Sequence, residues 1–191
     1  MIDNSPVVLV FAGPNGSGKS TITKGFDIIG EYINADDIKK RDNCTDLEAA
    51  QKATALRETA LSGNKDFTFE TVLSSRINME LLKKAKERGY RIEVIYVLTA
   101  DVEINVRRVK SRVANGGHSV PEEKIRSRYK KSLANISELI TLADRLVIVD
   151  NSDDDTEGKA SIIVSKKNSE LKVSKSKHWS EEMIYKLIFG K

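Results

Sequence analysis

At 191 residues, with 39% hydrophobic side chains and a formal net charge of +4, the chain is long enough for one α/β domain with a full core and too short for two. No apolar run approaches the ~20 residues that cross a bilayer, the first residues lack the basic start of a secretory leader, and Cys44 stands alone, which excludes an internal disulfide. A cytoplasmic location is the expectation, with no membrane partner. The basic excess falls in two sets, one between Arg107 and Lys131 and one late, from Lys159 to Lys191. Few aromatics interleave with either set, so nucleic acid is not the expected partner.

In chain order, residues 6–11 form a short apolar, β-branched run that reads as a buried parallel strand. Gly13-Pro14-Asn15-Gly16-Ser17-Gly18-Lys19-Ser20 follows and meets the pattern G-x-x-x-x-G-K-[ST] at every fixed position, with Thr21 after it. A helix is expected over 20–27, which places the motif between a strand and a helix N-terminus. Residues 31–34 make a second strand, ending at Ala35-Asp36-Asp37. A helix spans 46–61, with Leu47, Ala50, Ala53 or Thr54, Leu56 or Arg57, and Ala60 or Leu61 on its inner face. Residues 67–71 are a third strand. An amphipathic helix over 75–88 turns Ile77, Leu81, Leu82 and Ala85 inward and closes at Gly89. Residues 91–98 are the clearest strand. Asp101 caps the next helix, which carries Ile104, Val109 and Val113 and breaks at Asn115-Gly116-Gly117. Pro121 opens a further helix whose apolar face runs from Ile125 through Tyr129 and Leu133 to Ile140. Residues 145–150 are the fifth strand, and an acidic loop over 151–157 follows. A hairpin over 160–173 and a last helix over 179–189, with a Trp179, Met183 and Leu187 stripe, complete the chain. Alternating strands and helices predict an α/β fold: a parallel sheet of about five strands with helices on both faces. We expect a single domain over 1–191, with its core at 6–152, a lid at about 107–131 and a C-terminal hairpin and helix at 159–191.

The glycine-rich loop identifies a phosphate site. Its backbone N–H groups and the helix N-terminus form an anion nest. Lys19 supplies a mobile cation for β- and γ-phosphates, and the Ser20 hydroxyl is placed to ligate Mg²⁺. A nucleoside triphosphate is therefore expected. Ligands of open α/β sheets bind at the carboxyl ends of the strands, and three of those ends carry carboxylates: Asp36 beside Asp37, Glu70, and Asp150. Phosphoryl transfer needs a carboxylate to take the acceptor's proton and cations over the transferring charge. Asp36 or Asp37 fits the base, the alternative being a helix cap. Glu70 fits acceptor hydroxyls or a metal-bound water, and Asp150 fits a strand cap. Arg108 and Arg112 share one helix face, and Arg126 and Arg128 follow the Gly116-Gly117 hinge with His118 in it. Arginine forks suit phosphate oxygens, and two such helices on a glycine hinge suggest a closing lid.

Taken together, the motifs Gly13 to Thr21, Ile33-Asn34-Ala35-Asp36-Asp37, Phe67-Thr68-Phe69-Glu70-Thr71, Arg112 to Pro121, Arg126-Ser127-Arg128-Tyr129 and Asp150-Asn151-Ser152 resemble the zeta-toxin family of P-loop kinases, over roughly residues 6 to 152. The resemblance implies ATP and Mg²⁺ as cofactors and transfer of the γ-phosphate to a hydroxyl of a small molecule. In the better-known members that molecule is a UDP-N-acetyl amino sugar. It implies Asp36 as base, Lys19 and Ser20 on phosphate and metal, Glu70 and Thr71 on the acceptor, and lid arginines such as Arg112 and Arg128 on the transferred group. Arg108 and His118 join the acceptor side. A neutralising antitoxin partner follows from the resemblance alone. The chain departs from the long toxins at His118, where they carry an arginine, and at Glu70-Thr71-Val72, which lacks their glycine turn. The alternatives are an NTPase linked to nucleic acid, a non-catalytic nucleotide-binding partner, and a kinase of another small metabolite.

Overall fold

The first strand, β1 (Val7–Ala12), is apolar and buried along its whole length, as a central parallel strand must be. The computed structural model describes residues 4–153 and 160–190, so most of the acidic loop expected after the fifth strand lies outside the described residues. The elements that follow are α1 (Lys19–Ile22), a 3₁₀ turn (Thr23–Gly25), β2 (Glu31–Ile33), α2 (Ala35–Asp42), α3 (Asp46–Ser62), β3 (Phe67–Thr71), α4 (Arg76–Glu87) and β4 (Arg91–Leu98). Then come α5 (Val102–Ala114), α6 (Glu122–Ala134), α7 (Ile136–Leu142), β5 (Arg145–Asp150), β6 (Ser161–Lys167), β7 (Glu170–Val173) and α8 (Glu181–Phe189).

The seven strands form one sheet in the order β2-β3-β1-β4-β5-β6-β7. The first five are parallel, and the C-terminal hairpin extends the same sheet antiparallel beyond β5. The chain leaves β1 for the β2 edge, returns through β3, and crosses to β4. The order therefore reverses at β1, the switch point where ligands of such sheets bind. Register sets the depth of that site. Phe11 pairs with Glu70, and Ala12 with Thr71 on one side and Tyr96 on the other, so β1 and β3 end level and β4 runs two residues further, to Leu98.

Helices cover the two faces unequally. The large core joins Val8, Val10, Phe67, Phe69 and Tyr96 to residues of α3, α4, α7 and α8. The opposite face, with Leu9, Phe11, Ile95 and Val97, has a smaller cover that includes Ile22 of α1, Phe26, Ile29 and Ala160. The helix expected over 20–27 is one α turn followed by the 3₁₀ turn. Thr21, Ile22 and Thr23 are β-branched and Gly25 follows, a run poor in helix propensity.

Several inner faces also differ from expectation. Leu47 of α3 is 68% exposed, and its buried positions are Ala49, Ala53, Arg57, Ala60 and Leu61. In α4, Ile77 faces out and Met79 takes its place in the core. In α5 Val113 is exposed and Val106 is buried; in α8 Met183 is exposed, and Ile184 and Ile188 are buried. The apolar face from Ile125 to Ile140 belongs to two helices broken at Asn135, whose side-chain amide leaves the helix to donate to the Leu73 carbonyl at 2.9 Å.

Candidate nucleotide and acceptor site

The loop after β1 is held against the sheet and α5 by contacts that only glycine permits. A Cβ at Gly13 would lie 2.0 Å from the Val97 carbonyl oxygen, and one at Gly16 would lie 2.5 Å from the Asn105 carbonyl oxygen. Both residues also have positive φ, at 140° and 78°. The loop leads into α1, whose N-cap is Gly18, so the backbone ends on a short helix start facing the carboxyl ends of the strands.

A cleft of about 910 Å³ opens there. Lys19 is 8% exposed, and its ammonium donates to the Gly13 carbonyl at 2.7 Å and the Pro14 carbonyl at 3.1 Å. It stands 4.0 Å from Glu70 Oε1. Burial pushes its pKa down and Arg112 adds to that, while the charges of Glu70 and Asp36 oppose it. Lys19 thus lies in the field of both carboxylates named from the sequence. Asp36 sits in the first turn of α2, whose N-cap Asn34 accepts from the Asp36 N–H at 2.8 Å. The cap is Asn34, which leaves the Asp36 carboxylate to the cleft. Asp37 is in the same turn but does not line the cleft.

Glu70 is fixed by a short polar chain. The Asn34 amide donates to the Tyr32 hydroxyl at 3.1 Å, and that hydroxyl donates to Glu70 Oε2 at 3.3 Å. Burial, with the Glu70 charge adding, pushes the Tyr32 phenol up to about 12, so it remains a donor at neutral pH. Thr71 lines the cleft, but its hydroxyl oxygen already accepts from the Leu73 N–H at 2.9 Å and the Asn78 amide at 2.7 Å. Only its proton is left to offer a ligand. Asp150 is buried among Ser152 and Ser176, away from the cleft, in the capping arrangement.

Of the basic residues named from the sequence, Arg108, Arg112 and Arg128 line the cleft, with His118. Arg108 donates to the carbonyls of Asn151 and Asp153, each at 2.8 Å, and Arg112 donates to the His118 carbonyl at 2.8 Å. Gly117 is required there, because a Cβ would lie 2.5 Å from Arg112 Cγ. Arg126 departs from the expected lid role. It points away from the cleft and binds Glu103 and Glu122, tying α5 to α6.

Three side chains have a place at the site that the sequence reading did not give them. Asn105, fully buried on α5, donates to the Asn15 carbonyl at 2.7 Å and accepts from the Thr99 hydroxyl. Asn151 donates to the Ser17 carbonyl at 2.8 Å. Together they pin the phosphate loop from two sides. The only signal in the sequence is a polar residue at a position of α5 that the helical period turns inward. The third is Arg57, on the buried stripe of α3 and lining the cleft. The wall beyond Thr71 is clamped in its turn. Tyr96 and Ser132 share a hydrogen bond of 2.6 Å, and the Ser132 hydroxyl reaches the Val72 carbonyl at 2.6 Å. These bonds hold Leu73 at a φ of 54°.

A family model described as zeta toxin matches residues 27–168. An uncharacterized protein of Haemophilus influenzae (strain ATCC 51907 / DSM 11121 / KW20 / Rd) is 34% identical over 127 residues, which are 63% of this chain and 91% of that protein. Among solved structures, the AvrRxo1-ORF1:-ORF2 complex with ATP aligns with 97% of this chain at 15% identity and a TM-score of 0.71. The chain spans 64% of that structure's length. The PezAT chromosomal toxin-antitoxin system of the human pathogen Streptococcus pneumoniae aligns with 99% of this chain and 80% of its own, at 15% identity and a TM-score of 0.58. At these identities the structural likeness is one of fold.

Proposed function

The chain belongs to the zeta-toxin family, and on that premise we propose that it is an ATP-dependent phosphotransferase acting on a hydroxyl of a small molecule. One observation carries the reading: Lys19, Asp36, Glu70, Arg112 and Arg128, on five different elements or loops, line the same cleft at the switch point of the sheet.

In this reading the loop 13–20 cradles the ATP phosphates, and Lys19 exchanges its two carbonyl partners for phosphate oxygens. The Asp36 carboxylate takes the proton of the acceptor hydroxyl as the new O–P bond forms and ADP leaves. Arg112 and Arg128 stand over the transferring charge, and Glu70 and Thr71 orient the acceptor. Among the described residues no cluster of three His, Cys, Asp or Glu side chains could hold a metal alone. The donor set fits Mg²⁺ nonetheless, since that ion is held by one or two protein oxygens plus phosphates and water. Ser20 would supply the protein oxygen, and the ion would neutralise charge on the ATP phosphates.

The acceptor we put first is a sugar or nucleotide-sugar hydroxyl, with UDP-N-acetylglucosamine as the first compound to assay, on the strength of family membership. An antitoxin-like partner is proposed on the same ground. No helix among the described residues is long and apolar enough to cross a membrane, and the reading places the protein in the cytoplasm, where ATP is found.

The test is Asp36→Asn, assayed for phosphorylated product by mass against a panel of nucleotide sugars, sugars and nucleotides. Transfer should fall about 10²- to 10⁴-fold, the usual contribution of a general base, with ATP affinity retained. Undiminished transfer in that variant would remove Asp36 from the mechanism.

A further inference from the structure

Among the described residues, Arg57 is a buried charged side chain in no ion pair. It is 7% exposed, in the middle of α3. Its guanidinium carbon lies 5.0 Å from the centroid of the Phe69 ring, which fixes its orientation. Its one hydrogen bond runs from Nη2 to the Thr54 hydroxyl at 3.1 Å, and Nε is buried with no partner. The carboxylate that acts on it is Glu58, the next residue of the same helix, which is 43% exposed and paired with Lys84 at 2.9 Å. Burial outweighs that carboxylate and disfavours the charged form. A buried cation without a partner is costly, and a methionine would pack on Phe69 without that cost. Arg57 is among the residues that line the cleft, as are its partner Thr54 and, on β3, Glu70 and Thr71.

A second feature of the same wall points to the same kind of ligand. Helix α4 is twelve residues long and begins at this cleft, which Ser74, Ser75 and Asn78 line. Its N-cap Ser75 makes no side-chain cap bond, and its first turn carries no acidic residue. The first turn of α4 thus has no acidic residue of its own to offset the helix dipole, and the nearby Glu138 and Glu80 carboxylates pair with the Arg76 guanidinium. Asn78 Oδ1, also buried and without a partner, is an acceptor suited to a ligand hydroxyl.

We propose that the acceptor carries an oxyanion, a phosphate ester or a carboxylate, and that Arg57, with the open first turn of α4, binds it on the α3–α4 wall of the cleft. The inference rests on the phosphotransferase reading for the word acceptor; the anion site itself does not. Arg57 is a specificity residue here. Its rigid fork takes two oxygens of the anion while Asp36 and the phosphate loop meet the reacting hydroxyl.

The experiment has two arms, run on wild type, Arg57→Met and Arg57→Lys, each first checked for a native melting transition. In the first, the protein is saturated with a non-hydrolysable ATP analogue, so the phosphate loop is filled. Inorganic phosphate and, separately, acetate are then titrated by calorimetry. Wild type should bind phosphate, Arg57→Met should bind it about 10- to 100-fold more weakly, as loss of a charge-assisted contact predicts, and Arg57→Lys should fall between. Equal binding in all three proteins, or none in wild type, overturns the proposal. In the second arm, transfer is measured on matched pairs: N-acetylglucosamine with its 1-phosphate, and glucose with gluconate. The anionic member of a pair should have the lower KM, and Arg57→Met should erase that difference with the KM for ATP unmoved. The pair that responds identifies phosphate or carboxylate as the source. Transfer to neutral sugars that is indifferent to Arg57 sinks this inference and leaves the kinase reading intact. Arg57-dependent phosphate binding with no transfer to any compound does the reverse. If Arg57→Met does not fold, Arg57→Lys, which keeps the charge and the stem, decides alone.

Discussion

Replacing Asn105 by leucine tests whether the phosphate loop is held by the protein around it or by its own turn chemistry. The side chain is fully buried, so a near-isosteric apolar residue fits the space. Two hydrogen bonds are lost, one to the Asn15 carbonyl at 2.7 Å and one from the Thr99 hydroxyl. Thr99 keeps a second acceptor, the Asp101 carbonyl at 3.2 Å, so its share is small. The Asn15 carbonyl loses its side-chain donor, and stranding such a group costs about 1–3 kcal/mol, with about 1 kcal/mol net for the other bond. A total of about 2–4 kcal/mol should lower the melting temperature by about 4–16 °C in a domain of this size. The loop would then sample conformers that do not bind, and apparent affinity falls with the competent fraction. A loss of about 1.4 kcal/mol at the loop alone means a tenfold weaker nucleotide Kd. Urea unfolding gives the first number, and calorimetric titration of a non-hydrolysable ATP analogue gives the second. A destabilised variant with unchanged nucleotide affinity would refute the reasoning, because the loop would then be self-supporting. Unchanged stability would refute the hydrogen-bond accounting itself.

Two further outcomes are expected. Arg126→Ala should leave phosphoryl transfer near wild type, since Arg126 is spent on Glu103 and Glu122, whereas Arg128→Ala, which empties a position on the cleft, should lower it at least tenfold; equal losses in parallel kinetic assays would return Arg126 to the site. Glu138 joins α7 to α4 through Arg76 at 2.6 Å and Lys83 at 3.0 Å, and Arg76 followed by Lys83 lowers its pKa from 4.5 to about 2. A lowered carboxylate pKa stabilises the fold above the unfolded value and loses that contribution as pH falls through the folded one. Glu138→Gln should therefore cost no more than about 1 kcal/mol at pH 7, because the pair is partly exposed. Denaturation curves of the two proteins should converge between pH 4.5 and about 2; a constant gap across that window would contradict the ion-pair assignment.

The strands and the phosphate loop were legible because their signals are local. A run such as residues 91–98 is apolar and buried from Val94 onward, and the loop's form lies in backbone geometry that a few glycines encode. The same holds for Asp101, whose cap bond spans two residues. Helix faces were less legible where a helix borders the cleft. Ile77 is apolar yet 63% exposed, because it forms part of the cleft wall, and Arg57 is charged yet buried, because Phe69 of another element stacks beneath it. Periodicity alone puts Ile77 on the wrong side and leaves the inner position of α3 open between Leu56 and Arg57. Composition and spacing thus determined by themselves that this is an α/β chain with a glycine-rich loop after its first strand and carboxylates at strand ends. Only the tertiary structure decided which of them meet. The register of β3 on β1 sets Glu70 level with the loop, the Asn34 cap turns Asp36 and not Asp37 to the cleft, and Asn105 and Asn151 reach across long stretches of chain to hold the loop in place. Those contacts join residues far apart in sequence, and no local pattern carries them.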